Sequence, residues 1–568
     1  MAGEQCYGGH LQLGATRPHL AAADVSLMSP CTRHYPYGRP DPQGGVLSRR
    51  APPAFRQRIA RPTCFPYNVA APSPLRVGAG PDMRDPSPLP PSADLRHADA
   101  RRIVVGIMLT MLLAALDQVM VATALPTIAE SLGDFENLSW VVTANLLCAT
   151  ASTPLYGKLS DIHGRRTMLL IAIGVYAAGS LACALAPSML PLIFGRALQG
   201  LGGGGLMPLV QTIIGDVAAP RERPRYQGYT SSVFIISMFA GPLLGGFIAQ
   251  HFHWSWIFWL NLPLCALAYV FSHNVLLRLP RHERPHQLDL LGAVLMIGAA
   301  IPLMLALTWG GRRYAWGSPE TAAMFALSAA LWALFAWRMM TAREPFIPIA
   351  VLRDGAVRVG TITGFCVVGM VIALTIVLPL YGQVALELSV SASAWTIVAL
   401  QGGATVASIF GGRMLVRFVH YKRVPLAGLL VSIAGLIPLA LAPNGLSAVA
   451  ALALIALVGF GLGPTFPFTV VVVQNSVALH ELGVATGALN FFRALGATFI
   501  VAMFGAIVLA GAPMARGMTI DVLSGASEGG AAFRFVFAAA ILCLAAAIAS
   551  ILALEERPLR GTNVTSAA

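Results

Sequence analysis

The sequence predicts an all-α integral membrane protein, a bundle of about fourteen transmembrane helices, on three observations. Hydrophobic residues make up 56% of the 568 positions and charged residues 11%, with a mean hydropathy of +0.70; a soluble domain carries about 25% charged residues. Apolar stretches of about 20 residues, long enough to cross a hydrocarbon core, recur from Ile103 onward with short polar breaks. Lipid offers no partner to backbone N–H and C=O groups, and a helix satisfies them within each segment.

Along the chain, residues 1–100 are rich in Pro, Arg, Gly and Ala without a sustained period, as around Pro72–Arg76 and Pro86–Ser92. They read as a disordered tail. No apolar core of signal-peptide length occurs there, and a translation start at Met83 is the alternative. Residues 101–280 then read as an N-terminal six-helix bundle and 281–355 as an inserted helix pair. Residues 356–555 read as a C-terminal six-helix bundle and 556–568 as a cytoplasmic tail.

The net charge of +13 does not indicate a nucleic-acid partner, because the basic residues are spread over loops rather than gathered on one domain. They alternate in a way that sets orientation. One set of loops collects Lys158, Arg165 and Arg166; Arg221, Arg223 and Arg225; Arg278, Arg281 and Arg284; Arg343, Arg353 and Arg358; and Arg417, Lys422 and Arg423. The other set holds Arg312, Arg313 and Arg516. By the positive-inside rule the first set is cytoplasmic, and an even span count puts both termini there, in the inner or plasma membrane.

The chain also looks duplicated. The loop Gly157–Arg166 has a degraded counterpart in Gly411–Arg423, and Gly200–Pro208 has one in Gly459–Pro464. Paired halves holding a substrate between them at mid-membrane are a recurrent transporter architecture.

Span 1 carries Leu116-Asp117-Gln118. An ionisable group inside a span is costly and marks function by default, a structural ion pair being the other reading. Arg196, in Phe194-Gly195-Arg196 of span 4, lies at a similar depth, roughly 10–14 Å from the outer end at 1.5 Å per residue. Desolvation disfavours a charged carboxylate and a nearby guanidinium favours it, so proton affinity changes as the site wets or dries. In span 5, Ser237, Gly241 and Gly245 recur every four residues on one face beside Pro242 and Gly246, a surface against which a neighbouring helix packs closely. In the loop after span 2, Gly157, Asp161, Gly164, Arg165 and Arg166 combine a small packing residue with an acid able to pair with a helix N-terminus or an arginine, which suits gating. Gln199, Trp395 and Gln401 are candidates to line a substrate cavity. Arg493, near one end of span 13, has a structural explanation in snorkelling.

These motifs, in this order, resemble those of the major facilitator superfamily, in particular the fourteen-helix drug:proton antiporters of the EmrB/QacA type, over roughly residues 103–555. The resemblance implies that Asp117 and Arg196 take part in proton transfer, that Gly157–Arg166 is the gating signature and that the span 5 motif marks antiporters. Two departures stand out: Ile162 replaces a usual basic residue, and Ser237 a frequent glycine. Trp254–Pro263, Gln474-Asn475 and Gly487–Gly496 are also similar to the family.

Other classes fit poorly. The run Gly200–Gly205 matches a dinucleotide fingerprint but lacks the βαβ context, and no ATP-binding loop is present; no cofactor is expected. His251 and His253 lack the further ligands a metal site needs. The expected activity is proton-coupled export of lipophilic neutral, anionic or monocationic molecules. The runner-up is transport of a single metabolite by the same fold, ahead of a membrane enzyme or sensor. A periplasmic adaptor is a partner the resemblance allows.

Overall fold

The computed structural model describes residues 97–134, 137–218, 222–277, 289–311, 313–417, 420–510 and 529–555. The N-terminal tail, Arg221, Arg278, Arg281, Arg284, Arg312, Arg516 and residues 556–568 lie outside them. Contacts divide the chain into Met1–Ser87 and Pro88–Ala568, and everything described belongs to the second unit.

Helices follow the apolar stretches. In chain order they are α1 His97–Leu132, α2 Leu138–His163, α3 Arg165–Ala184, α4 Met189–Val217, α5 Arg223–His251 and α6 Trp256–Leu276; then α7 Leu290–Trp309, α8 Pro319–Thr341 and the short α9 Ile349–Arg353. The remainder are α10 Gly355–Val384, α11 Val390–Arg417, α12 Arg423–Leu441, α13 Ala448–Leu462, α14 Thr465–Ser476, α15 Leu482–Ala510 and α16 Gly529–Leu552. Side-chain acceptors close several N-termini, as expected where the first amides lack intrahelical partners. Asp289 accepts from Gly292 N at 3.1 Å, and Asp354 from Ala356 N at 2.8 Å.

Among the described residues, 12 helical stretches are long and apolar enough to cross a membrane, with α13 and α14 joined as Ala448–Ser476. The reading of about fourteen counted α2 and α4 as well. Both have the length, at 26 and 29 residues, but their apolar content is diluted. Helix α2 buries Asn145, Thr150, Ser152, Thr153 and Ser160; α4 buries Arg196, Gln199, Gln211 and Thr212 beside its glycines. Helices that face protein on most sides do not need a fully apolar surface.

Helices α1–α6 pack with one another and α10–α16 do the same, while α7 pairs with α8 and lies against both α2 and α15, over the junction of the halves. Glycines reproduce the internal duplication. A Cβ at Gly200 or Gly204 would collide with the α2 carbonyls of Asn145 and Ala149, and one at Gly459 or Gly463 with the α11 carbonyls of Leu400 and Ala404. Gly202 meets α3 at Tyr176, and Gly461 meets α12 at Gly428 and Ser432. Each half thus uses the same alternate-glycine ridge to bring a central helix into backbone contact with two neighbours.

Candidate functional site

Within the N-terminal half, α1 brings Asp117 to Arg196 of α4: Arg196 Nη1 donates to Asp117 Oδ2 at 2.8 Å. Asp117 is 1% exposed and Arg196 2%, so the pair faces neither lipid nor solvent. Two amides complete the acid's shell, Gln199 Nε2 at 3.2 Å and Asn261 Nδ2 of α6 at 2.6 Å, both to Oδ1. Arg196 is held in turn. Its Nε donates to the Val141 carbonyl at 3.0 Å, its Nη1 also reaches Gln199 Oε1, and its guanidinium lies 5.9 Å from the centre of the Phe258 ring. Gln199 is anchored by Ser180 Oγ at 2.8 Å. A buried pair braced by further hydrogen bonds to both partners is the arrangement that offsets the cost of removing two charges from water.

Gln199 differs from its expected place. It is fully buried and bonded to Asp117 and Ser180, so it belongs to the acid's shell rather than to an open cavity wall. Asn261, absent from the candidate residues, makes the shorter of the two amide contacts. Only its place in the Trp254–Pro263 motif pointed to it.

The span 5 motif stands directly behind this cluster. Ser237 is buried, a Cβ added at Gly241 would press on Val119 at 2.6 Å, and one at Gly245 would meet Thr123 and Met120, so this face of α5 lies against the turns of α1 that follow Asp117. Pro242 is exposed, and Gly246 looks into open space.

The gating candidates occupy the Arg-rich end, where the halves meet. Gly157 of α2 approaches Gly483 and Gly487 of α15 so closely that a Cβ would overlap the Gly483 carbonyl. Asp161 accepts from the amides of Gly483 at 3.1 Å and Val484 at 2.8 Å, at the N-terminus of α15, and pairs with Arg165. Arg165 also reaches Asp216 of α4 at 2.8 Å. Gly164, at φ +88°, makes the turn into α3, and Arg166 contacts the His273 ring at 3.0 Å. Burial raises the Asp161 carboxyl above its ordinary range against the lowering by Arg165 and the two amides. Alongside, Arg223 Nη1 donates to the Gln474 carbonyl at 3.1 Å and to Asn475 Oδ1 at 2.9 Å. Gln474 and Asn490 bond to Gln211 of α4 at 2.9 and 2.7 Å. Gly412 of α11 closes on Pro224 and Gly228 of α5. These cross-half contacts all lie at the Arg-rich end, which is therefore closed.

The other two candidate lining residues, Trp395 and Gln401, are not brought together with the Asp117 cluster. Trp395 is 60% exposed on α11, and Gln401, half-buried, donates to Thr375 Oγ1 at 3.1 Å. An apolar cavity of about 390 Å³ lies elsewhere, between α7, α8, α9 and α15, walled by Met296, Trp332, Phe335 and Phe491. It holds no acid and is not the coupling site. Arg493 does not snorkel. The helix begins at Leu482, which puts Arg493 well inside α15, and the residue is 7% exposed, packed against α14 and α10 with its head group on Thr469.

Comparison with known proteins gives a consistent picture. The family profile described as Major Facilitator Superfamily matches residues 107–501. The multidrug transporter protein MdtP of Bacillus subtilis is 32% identical over 407 residues, covering 72% of this chain and 75% of that protein. Multidrug resistance protein 3 of the same organism is 29% identical over 412 residues, covering 72% and 80%. Among solved structures, the human organic anion transporter MFSD10 superposes with a TM-score of 0.56 at 17% identity, covering 78% of this chain and 99% of that one, a likeness of fold alone.

Proposed function

Because the chain belongs to the major facilitator superfamily, and its family and fold are those of a multi-pass membrane transporter, we propose that it is a proton-coupled antiporter of the fourteen-helix drug-exporting type. In this reading it moves lipophilic small molecules out of the cell, with the Arg-rich end in the cytoplasm. The observation that carries the proposal is the Asp117–Arg196 pair, sealed from water in one half with each oxygen of the acid bonded. Its relatives named as multidrug transporters support the export of drug-like molecules.

The coupling follows from the charge balance of the site. Ionised Asp117 holds Arg196, Gln199 and Asn261 in one constellation. A proton arriving from outside removes the charge that all three donors satisfy and weakens the hold on Arg196. The packing between α1 and α5 shifts with it, and the bound molecule is released outward. After the halves rock to open the Arg-rich end, the proton leaves to the cytoplasm and the pair re-forms. With the positive-inside assignment, closure at the Arg-rich end corresponds to a state closed to the cytoplasm. Asp161 on the α15 N-terminus is its latch, since a carboxylate there is stabilised by the helix dipole and two free amides.

The test is tolerance of an efflux-deficient host to a panel of neutral, anionic and monocationic compounds, with wild type and Asp117→Asn expressed at equal levels. Wild type raises tolerance to a subset and the variant does not. Equal sensitivity to every compound would overturn the reading in favour of transport of one specific metabolite.

A further inference from the structure

The two halves differ in how they compensate charge. In the N-terminal half Arg196 has Asp117. In the C-terminal half, none of the helices α10–α16 contains an Asp or Glu, yet Arg493 is buried there, and among the described residues it is that half's one buried charged side chain. Its guanidinium is only partly satisfied. One Nη2 hydrogen bond goes to Thr469 Oγ1 and a long one of 3.4 Å to the Phe466 carbonyl, Nη1 reaches Asn490 Oδ1 at 3.5 Å, and Nε has no partner. Gly364 lets the Arg493 side chain lie against the α10 backbone, since an added Cβ would sit 3.2 Å from its Cγ and Nε. A cation at this depth without an anion is costly and points to function.

Its position says when an anion can reach it. Arg493 lies one turn along α15 from Asn490, whose Nδ2 donates to Gln211 of the opposite half at 2.7 Å. When the Arg-rich end opens, this bond breaks and Asn490, the neighbour of Arg493 on α15, is uncovered to that side. The side from which an exporter loads is therefore the side that gains access to an unneutralised guanidinium.

We propose that Arg493 binds an acidic group of the transported molecule, so that the substrate class is lipophilic monoanions: a carboxylate or sulfonate on an apolar body. The inference rests on the export reading and sharpens it. The guanidinium offers an acidic group one charge-assisted hydrogen bond from its unpartnered Nε, with the full positive charge beside it. Protonation of Asp117 and binding of the anion occur in different halves, so each can proceed without displacing the other's partner.

The experiment uses the purified full-length protein in neutral detergent with pyrenebutyrate and its methyl ester, which share the aromatic body and differ in charge, and reads binding from quenching of tryptophan fluorescence. Wild type is expected to bind the acid about tenfold more tightly than the ester, the effect of one hydrogen bond to a charged group. Arg493→Gln should bind both at the affinity of the ester, and Arg493→Lys should keep part of the preference. Equal affinities in wild type would overturn the proposal whether or not the variants fold, as would a preference that survives in Arg493→Gln. Failure of the export reading is visible separately, as absence of proton-gradient-driven movement of any compound in proteoliposomes despite an intact acid preference in binding.

Discussion

Asp117 has two oxygens and three donors aimed at them, from Arg196, Gln199 and Asn261, and that ratio decides how substitutions there behave. Asp117→Asn keeps the shape but leaves Arg196 charged and buried without an anion, a loss of about 3–5 kcal/mol when one member of a buried pair is removed. The variant is expected to melt earlier in detergent and to lose gradient-driven export. The double variant Asp117→Asn/Arg196→Gln should recover most of the stability and none of the coupling. Recovery of export in the double variant would show that the pair is structural. Asn261→Ala removes one donor, for which about 1–3 kcal/mol is expected, and should slow export while leaving it gradient-dependent. The acid and the arginine were legible in the sequence because a charge in an apolar span is rare, and counting turns placed both at one depth. Asn261 was not, since a neutral amide in a tryptophan-rich stretch carries no comparable signal. Arg493 misled for a related reason: the helix begins at Leu482, ahead of the apolar stretch that marks the span, and the helices that cover the arginine are not written in the sequence.

At the scale of the helix, small residues set which backbones touch. Gly157 faces the Gly483 carbonyl with no room for a methyl group, and a backbone carbonyl cannot step aside as a side chain can. Gly157→Ala must therefore push α2 from α15, with an overpacking cost of about 1–3 kcal/mol borne only by the state closed at the Arg-rich end. Spin labels at His163 and His480, in a background lacking native cysteines, should report a longer mean distance by double electron–electron resonance. The Asp117 constellation should be undisturbed. An unchanged distance would mean that Gly157 does not hold the seam. Asp161→Asn should lengthen the same distance less, because it weakens the dipole and Arg165 contacts without adding volume. Gly241→Val acts elsewhere, forcing α5 from Val119 on α1, and should lower export with the seam distance unaltered. The glycine spacings were visible in the sequence, including the repeat between Gly200–Gly204 and Gly459–Gly463. Their partner helices were not, because spacing along one helix gives a face and says nothing of what meets it. The same limit explains α2 and α4, whose polar and glycine content makes sense only once neighbours surround them.

For the whole molecule, orientation fixes the direction of the proposed proton cycle, and it follows from charge distribution alone. The end where the halves close carries Lys158, Arg165, Arg166, Arg223, Arg343, Arg353, Arg358, Lys422 and Arg423, against Arg313 in the described turn between α7 and α8 and Arg534, which bonds to the Leu441 carbonyl at the far end of α12. Such an excess belongs on the cytoplasmic side because translocating basic loops is disfavoured. Two exposed positions mark the two ends: Gly317 in the α7–α8 turn and His480 between α14 and α15. With native cysteines replaced, a membrane-impermeant maleimide added to intact cells should label Gly317→Cys and leave His480→Cys unlabelled until the membrane is opened. The reverse pattern would invert the protein. The closed seam would then face outward, Asp117 would meet the proton from the cytoplasm, and the same geometry would describe uptake instead of export. Labelling at both positions in intact cells would mean that the seam lets the reagent through, contrary to its backbone-to-backbone closure at Gly157 and Gly412.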